Sequence, residues 1–101
     1  MARGIALSLE HPGALNEDFN LSTAVPTTVM ELAELIWQKV YGDTKDFSVE
    51  YEEPFTYDVQ KRIPSVEKAE RVMGFTAVTP LSEVLDEVIP WVRQAIADGT
   101  I

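Results

Sequence analysis

The chain has no cysteine, and histidine occurs once, at His11. The first absence excludes a disulfide framework and a thiolate zinc site, and the second excludes any relay or metal site needing two imidazoles. Bases are scarce as well: eight Lys and Arg stand against seventeen Asp and Glu, a formal net charge of −9 over 101 residues. That balance argues against nucleic acid, whose phosphates need clustered Lys and Arg, and against an anionic membrane surface. No apolar run approaches the length of a membrane span, and no signal-peptide pattern follows Met1. The glycines, at Gly4, Gly13, Gly42, Gly74 and Gly99, stand too far apart to cradle a phosphate. Neither a dinucleotide fingerprint nor a P-loop is present. What is there reads as a single soluble acidic domain spanning residues 1–101, expected in the cytoplasm. Its 46% hydrophobic content allows a modest core, and a chain this short has a thin stability margin.

The apolar spacing predicts four helices. Ala2, Ile5, Ala6 and Leu9 recur at helical intervals until His11-Pro12-Gly13 ends the run. No capping residue precedes that helix, so its first N–H groups lack a partner and the start reads as a cut. Thr28 with Glu31 forms a capping box for a helix whose stripe is Val29, Leu32, Ala33, Ile36 and Val40, closed by Gly42. Ser65 is placed to cap a short helix with Val66, Ala69, Val72 and Met73 inward, ended by Gly74. Thr79 as N-cap and Pro80 at the first position open a longer helix bearing Leu81, Val84, Leu85, Val88, Val92 and Ile96. Pro90 lies inside that pattern and predicts a kink or break near 86–89. Polar–apolar alternation in Asp18-Phe19-Asn20-Leu21-Ser22 and in Phe47-Ser48-Val49-Glu50-Tyr51 predicts short half-buried strands. Residues 54–64 show no period and read as an ordered loop or irregular edge. The fold class expected is therefore α+β, about four helices packed with two or three short strands.

Tyr-x-x-x-Lys, an acid/base pair when both side chains share a helix face beside a nicotinamide, occurs at Tyr41/Lys45 and Tyr57/Lys61. Gly42 ends the helix directly after Tyr41, and Tyr57 lies between Pro54 and Pro64, so neither pair has the helical context the chemistry needs. His11 suits a helix terminus, Glu52 and Glu53 point opposite ways on extended backbone, and Trp37 and Trp91 sit near apolar positions where core or interface packing is the default. The stretch Asp58-Val59-Gln60-Lys61-Arg62 is different, because it sets an acid and two bases in the least regular part of an acidic chain. Arg offers a planar fork to phosphate, and loops present ligand groups. A salt bridge from Arg62 to Asp58 or Glu67 is the alternative, and spacing leaves both open.

Taken in order, ARGIALSLEHP, DFNLST, TTVMELAELIWQKVYG, YDVQKRIPSVEKAERVMGF and PLSEVLDEVIPW resemble the C-terminal part of the extended short-chain dehydrogenase/reductase family. That group contains the NAD-dependent nucleotide-sugar epimerases and dehydratases. The family's run of Asp, bases, Lys-Ala and a Leu-Gly-aromatic turn matches Asp58, Lys61, Arg62, Lys68-Ala69 and Met73-Gly74-Phe75. The resemblance implies the C-terminal lobe of an α/β enzyme, with the Rossmann domain, its NAD loop and its catalytic Tyr-x-x-x-Lys absent from these residues. It implies a nucleotide-sugar substrate, with Asp58, Lys61 and Arg62 as substrate-binding residues and none catalytic. Many members carry Arg-x-Gly-Asp where this chain has Phe55-Thr56-Tyr57-Asp58. Only Asp58 carries over, so either Lys61 or Arg62 supplies the phosphate-pairing charge or the contacts differ in this branch.

The expectation is a chain that alone binds no NAD and turns over no substrate, NAD belonging to the full-length parent. An exposed face where the missing domain docks is expected to favour self-association. The alternative is a free-standing acidic interaction module without catalytic activity, engaging a basic partner through its helices. A decayed remnant that folds without a present function is a third.

Overall fold

The computed structural model describes residues 1–101. It contains α1 (Ala2–Glu10), α2 (Val29–Tyr41), α3 (Glu67–Met73) and α4 (Leu81–Ala97), with 3-10 turns at Pro12–Ala14 and Gly42–Thr44. No strand or sheet forms, which corrects the α+β expectation: the fold is all-helical. Alternation along a segment states which side chains share a face. A strand also needs a neighbour to complete its ladder of N–H···O=C bonds, and no backbone–backbone bond joins residues 18–22 or 47–51 to another segment. The alternation still acts locally, since Phe19 and Leu21 turn onto the core while Asp18 and Asn20 stay exposed.

The chain divides into two compact units. The first comprises Met1–Pro26 and Pro54–Val78, the second Thr27–Glu53 and Thr79–Ile101.

In the first unit, α1 turns Gly4 and Leu7 inward and leaves Ile5 and Leu9 exposed, contrary to the predicted stripe. The cause is Phe75, whose ring lies against the bare backbone of Gly4. A Cβ added there would meet the Phe75 Cζ at 2.8 Å, closer than a methyl tolerates. Arg3 closes over the same ring at 5.5 Å and donates from Nη2 to the Thr76 carbonyl at 3.0 Å. Phe75 reaches this position because α3 stops at Gly74 in the left-handed conformation, φ 65°. The Gly74 N–H donates to the Glu70 carbonyl and the Phe75 N–H to that of Ala69, a turn that a residue with a Cβ adopts at a cost. Ala69 and Met73 face inward as their spacing implies, and with Ala14 and Phe75 they form the core. Ser65 does not cap α3; Val66 occupies that position, and the Ser65 carbonyl accepts from Asn20 Nδ2 at 3.1 Å. Lys68 ties α3 to the stretch that follows the Pro12–Ala14 turn, with Nζ 2.8 Å from Asp18 and 2.9 Å from Glu17. Its hydrogen bond and charge hold the Asp18 carboxyl below its ordinary pKa, and hydrogen bonds to Asp18 and Glu17 raise that of Lys68.

In the second unit the predicted capping box is complete. Thr28 Oγ1 accepts from the Glu31 N–H at 3.1 Å, and the Thr28 N–H donates to Glu31 Oε2 at 2.7 Å. The Thr28 N–H and, at 2.9 Å, the Thr28 hydroxyl both donate to Glu31 Oε2 and hold that carboxyl below its ordinary pKa, the backbone bond being the larger cause. Gly42, at φ 55°, terminates α2. α4 begins one residue later than expected, with Pro80 as its N-cap and no side-chain cap from Thr79. It runs unbroken through Pro90, which corrects the predicted break. Pro90 and Asp86 are both exposed, so the Asp86 carbonyl that loses its N–H partner meets water. α2 and α4 are joined by the Lys39–Asp86 ion pair and by Arg93 Nη2 donating to the Val40 carbonyl at 3.4 Å. Only Leu85 and Ala95 are buried in this unit. No helix is long and apolar enough to cross a membrane.

Candidate functional site

Asp58, Lys61 and Arg62 lie in the first unit, in the stretch without regular structure that precedes α3. Pro54 and Pro64 at its ends lack the N–H that a helix or ladder would use, and the only backbone bond within it closes a turn, from the Asp58 N–H to the Phe55 carbonyl at 3.1 Å. That turn presents Phe55 and Tyr57 to solvent, 87% and 95% exposed. All three candidate residues are exposed, and none makes an ion pair. The salt bridge from Arg62 to Asp58 or Glu67 is therefore not formed.

The fate of the other bases makes this informative. Lys39 and Lys68 are paired with carboxylates, Arg3 and Arg93 donate to carbonyls, Lys45 Nζ stands 4.4 Å over the Tyr41 ring, and Arg71 stands alone and exposed on α3. Lys61 and Arg62 are adjacent in sequence and committed to nothing. An ammonium and a guanidinium side by side can receive phosphate oxygens, the guanidinium through two parallel bonds. The exposed rings of Phe55 and Tyr57 can stack on a planar group, and the Asp58 carboxylate can accept from a hydroxyl or a ring N–H.

The remaining candidates are placed by the structure as follows. Tyr41 is the last residue of α2 and Lys45 lies past the 3-10 turn with its ammonium on the ring face, while Tyr57 sits in the turn just described. Neither pair shares a helix face. His11 ends α1, and its Nδ1 accepts from the Gly13 N–H at 3.1 Å, a local cap. Glu52 and Glu53 are exposed. Trp37 is half-buried, donates from Nε1 to the Lys45 carbonyl at 2.9 Å, and lies 4.6 Å from Tyr41 and 5.8 Å from Phe47 between ring centroids. Beside it is an open hollow of about 490 Å³ that also takes in Glu34, Asp43 and Asp46. A second hollow, about 250 Å³, lies in the first unit against Asn20, Glu70 and Phe75. Neither hollow includes Asp58, Lys61 or Arg62.

Of the core and interface packing expected for Trp91, the core is ruled out: the ring is 65% exposed, with Val84 and Val88 at 40% and 41%. The signal for this was the width of the α4 apolar arc. Nine apolar side chains between Leu81 and Ile96 cover nearly half the helix circumference, more than one partner helix covers.

No protein-family model, no curated protein and no solved structure matches the chain.

Proposed function

We propose that the chain is the substrate-binding lobe of an NAD-dependent nucleotide-sugar epimerase or dehydratase, acting in the cytoplasm. Its part is to hold the nucleotide diphosphate while a Rossmann domain of the parent enzyme carries NAD. One observation carries the reading: in a chain of net charge −9, two adjacent bases, Lys61 and Arg62, stand exposed and without an internal partner. The ordered resemblance of five segments supports it.

In this reading Arg62 and Lys61 take the diphosphate oxygens, Asp58 accepts from the nucleoside, and the Phe55–Tyr57 turn supplies an aromatic face. That is positioning: holding the diphosphate fixes where the sugar carbon lies, and no bond is made by these residues. NAD supplies hydride acceptance and return in the parent. The separated glycines of this chain do not fit its pyrophosphate, so no step here runs through it, and the chain alone is inactive.

The test is a heteronuclear NMR titration of the chain with UDP-glucose and, in parallel, inorganic pyrophosphate. The expected result is saturable shifts confined to residues 55–62 with both probes, weakened about tenfold in Lys61→Ala/Arg62→Ala. Shifts spread evenly over the chain, or unchanged in the double variant, would overturn the reading. Saturable micromolar binding of NAD to the purified chain would overturn the division of labour.

A further inference from the structure

The apolar arc of α4 consists of two stripes. Leu85, Ile89 and Val92 lie on the side that also carries Asp86 and Arg93, and those two bond to Lys39 and the Val40 carbonyl of α2. On this side Leu85 is buried and Ile89 and Val92 are half-buried, while Ile96, one turn further on, is exposed. The second stripe, Val84, Val88 and Trp91, falls at i, i+4 and i+7 on the other side and is exposed, while Ala95, the next position along it, is buried. The charged residues bordering it are acidic, with the neutral Gln94 among them. Glu83 and Glu87 flank the stripe, and Glu87 lies within one turn of both Val84 and Trp91. Asp98 stands at the end of the same side, and none of the three is ion-paired. The only base of α4 is Arg93, on the side that faces α2.

We propose that Val84, Val88 and Trp91, with Glu83 and Glu87, form a docking surface for an amphipathic helix of another protein bearing Lys or Arg beside its apolar positions. The inference is independent of the anion-binding segment. Charge selects the occupant: an apolar stripe whose only charged neighbours on α4 are carboxylates rewards a partner of opposite sign and penalises one of like sign. A second copy of the chain would set Glu83 and Glu87 against their equivalents and add −9 to −9. The stripe is about 10 Å long from Val84 to Trp91, two helical turns. That matches the i, i+3/i+4, i+7 anchor spacing by which an apolar helix face is read. Trp91 is the anchor, because a large ring that is exposed when free and covered when bound contributes most of such a contact.

The probe is a short synthetic helix with Leu in a heptad stripe and Lys at the flanking positions, compared with the same peptide carrying Glu for Lys. Binding is followed by calorimetry and by the indole N–H resonance of Trp91. The Leu/Lys peptide is expected to shift that resonance saturably, with affinity falling as salt rises. Trp91→Ala is expected to weaken binding about tenfold, with circular dichroism unchanged. Glu83→Gln/Glu87→Gln is expected to weaken it about threefold, and Glu52→Gln/Glu53→Gln to leave it as it was. Equal affinity for the Leu/Glu peptide, or equal losses from the two glutamate variants, would overturn the proposal. So would concentration-dependent sedimentation of the chain alone that Trp91→Ala abolishes, which would make a second copy the occupant.

Discussion

The two units use the same ingredients, amphipathic helices of which one in each is stopped by a glycine of positive φ, and reach different degrees of closure. The first buries Ala14, Ala69, Met73 and Phe75 as one cluster, ringed by Leu7, Phe19, Leu21, Val72 and Ala77. The second buries Leu85 and Ala95, and leaves Val29, Val84, Val88, Trp91 and Ile96 in solvent. The difference lies in one large side chain and the space made for it. Phe75 is delivered by the Gly74 turn onto the bare backbone of Gly4, and three segments pack around it. In the second unit the large rings, Trp37, Tyr41 and Phe47, lie against one another at the end of α2, beside an open hollow. Amphipathicity brings helices together; a centre needs a bulky group seated opposite a small one.

That comparison breaks most readily at Phe75. Phe75→Ala is expected to cost about 3 kcal/mol through lost burial and the cavity left behind. Native-state hydrogen exchange should show the loss in α1 and α3, with α2 and α4 amides unchanged. Equal acceleration in all four helices would mean that the two units do not open separately. Leu85→Ala is the matching cut in the second unit. Its expected cost is smaller, about 2 kcal/mol, because half-exposed neighbours can relax into the space. The loss should read out in α2 and α4 amides.

Much of the first unit was legible because its signals are local. The Gly74 cap, the inward Ala69 and Met73, and the end of α1 at His11 all follow from residues within a turn of one another. The face of α1 was not legible, since nothing in ARGIALSLE says that Phe75, some seventy residues on, fills the place of a side chain at Gly4. The strands failed for a related reason: alternation over 18–22 and 47–51 is local, and the neighbour a strand requires is not. In the second unit the Thr28 cap and the Gly42 stop were legible, and whether Trp91 lies in the core or on the surface was not, because period alone cannot tell a covered stripe from an uncovered one. Of the candidate site, Asp58, Lys61 and Arg62 were found by their residue types in an irregular stretch. That they would stay unpaired depends on where Glu67 and the other carboxylates come to lie, which spacing leaves open.

The next cut tests whether the second unit rests on its local signals. Thr28→Ala removes the oxygen that receives the Glu31 N–H and is expected to cost about 1 kcal/mol. In a unit with two buried side chains that is a large share of what holds α2, so fraying of its first turn should be visible by hydrogen exchange. An unchanged first turn would show that packing, rather than the cap, sets where α2 begins.

The smallest effect sharpens the comparison, because acid acts on one contact in each unit. Asp18, bonded to Lys68, and Glu31, bonded to Thr28, both have pKa values held below the ordinary ones. Each contributes stability that is complete above its unfolded-state pKa and is lost as pH falls through the lowered folded-state value. Lys68 runs the other way: its raised pKa gives stability complete below the ordinary lysine value and lost as pH rises through the raised one. All three groups are exposed, so water and salt keep the effects small. Residue-resolved NMR can still separate them. Asp18→Asn should abolish the acid-dependent shifts around residues 17–19 and α3 and leave those at the first turn of α2 intact, while Thr28→Ala should do the reverse. If either substitution removed both sets, the carboxylates would be reporting one common opening, and the two units would be a division of geometry without a division of stability.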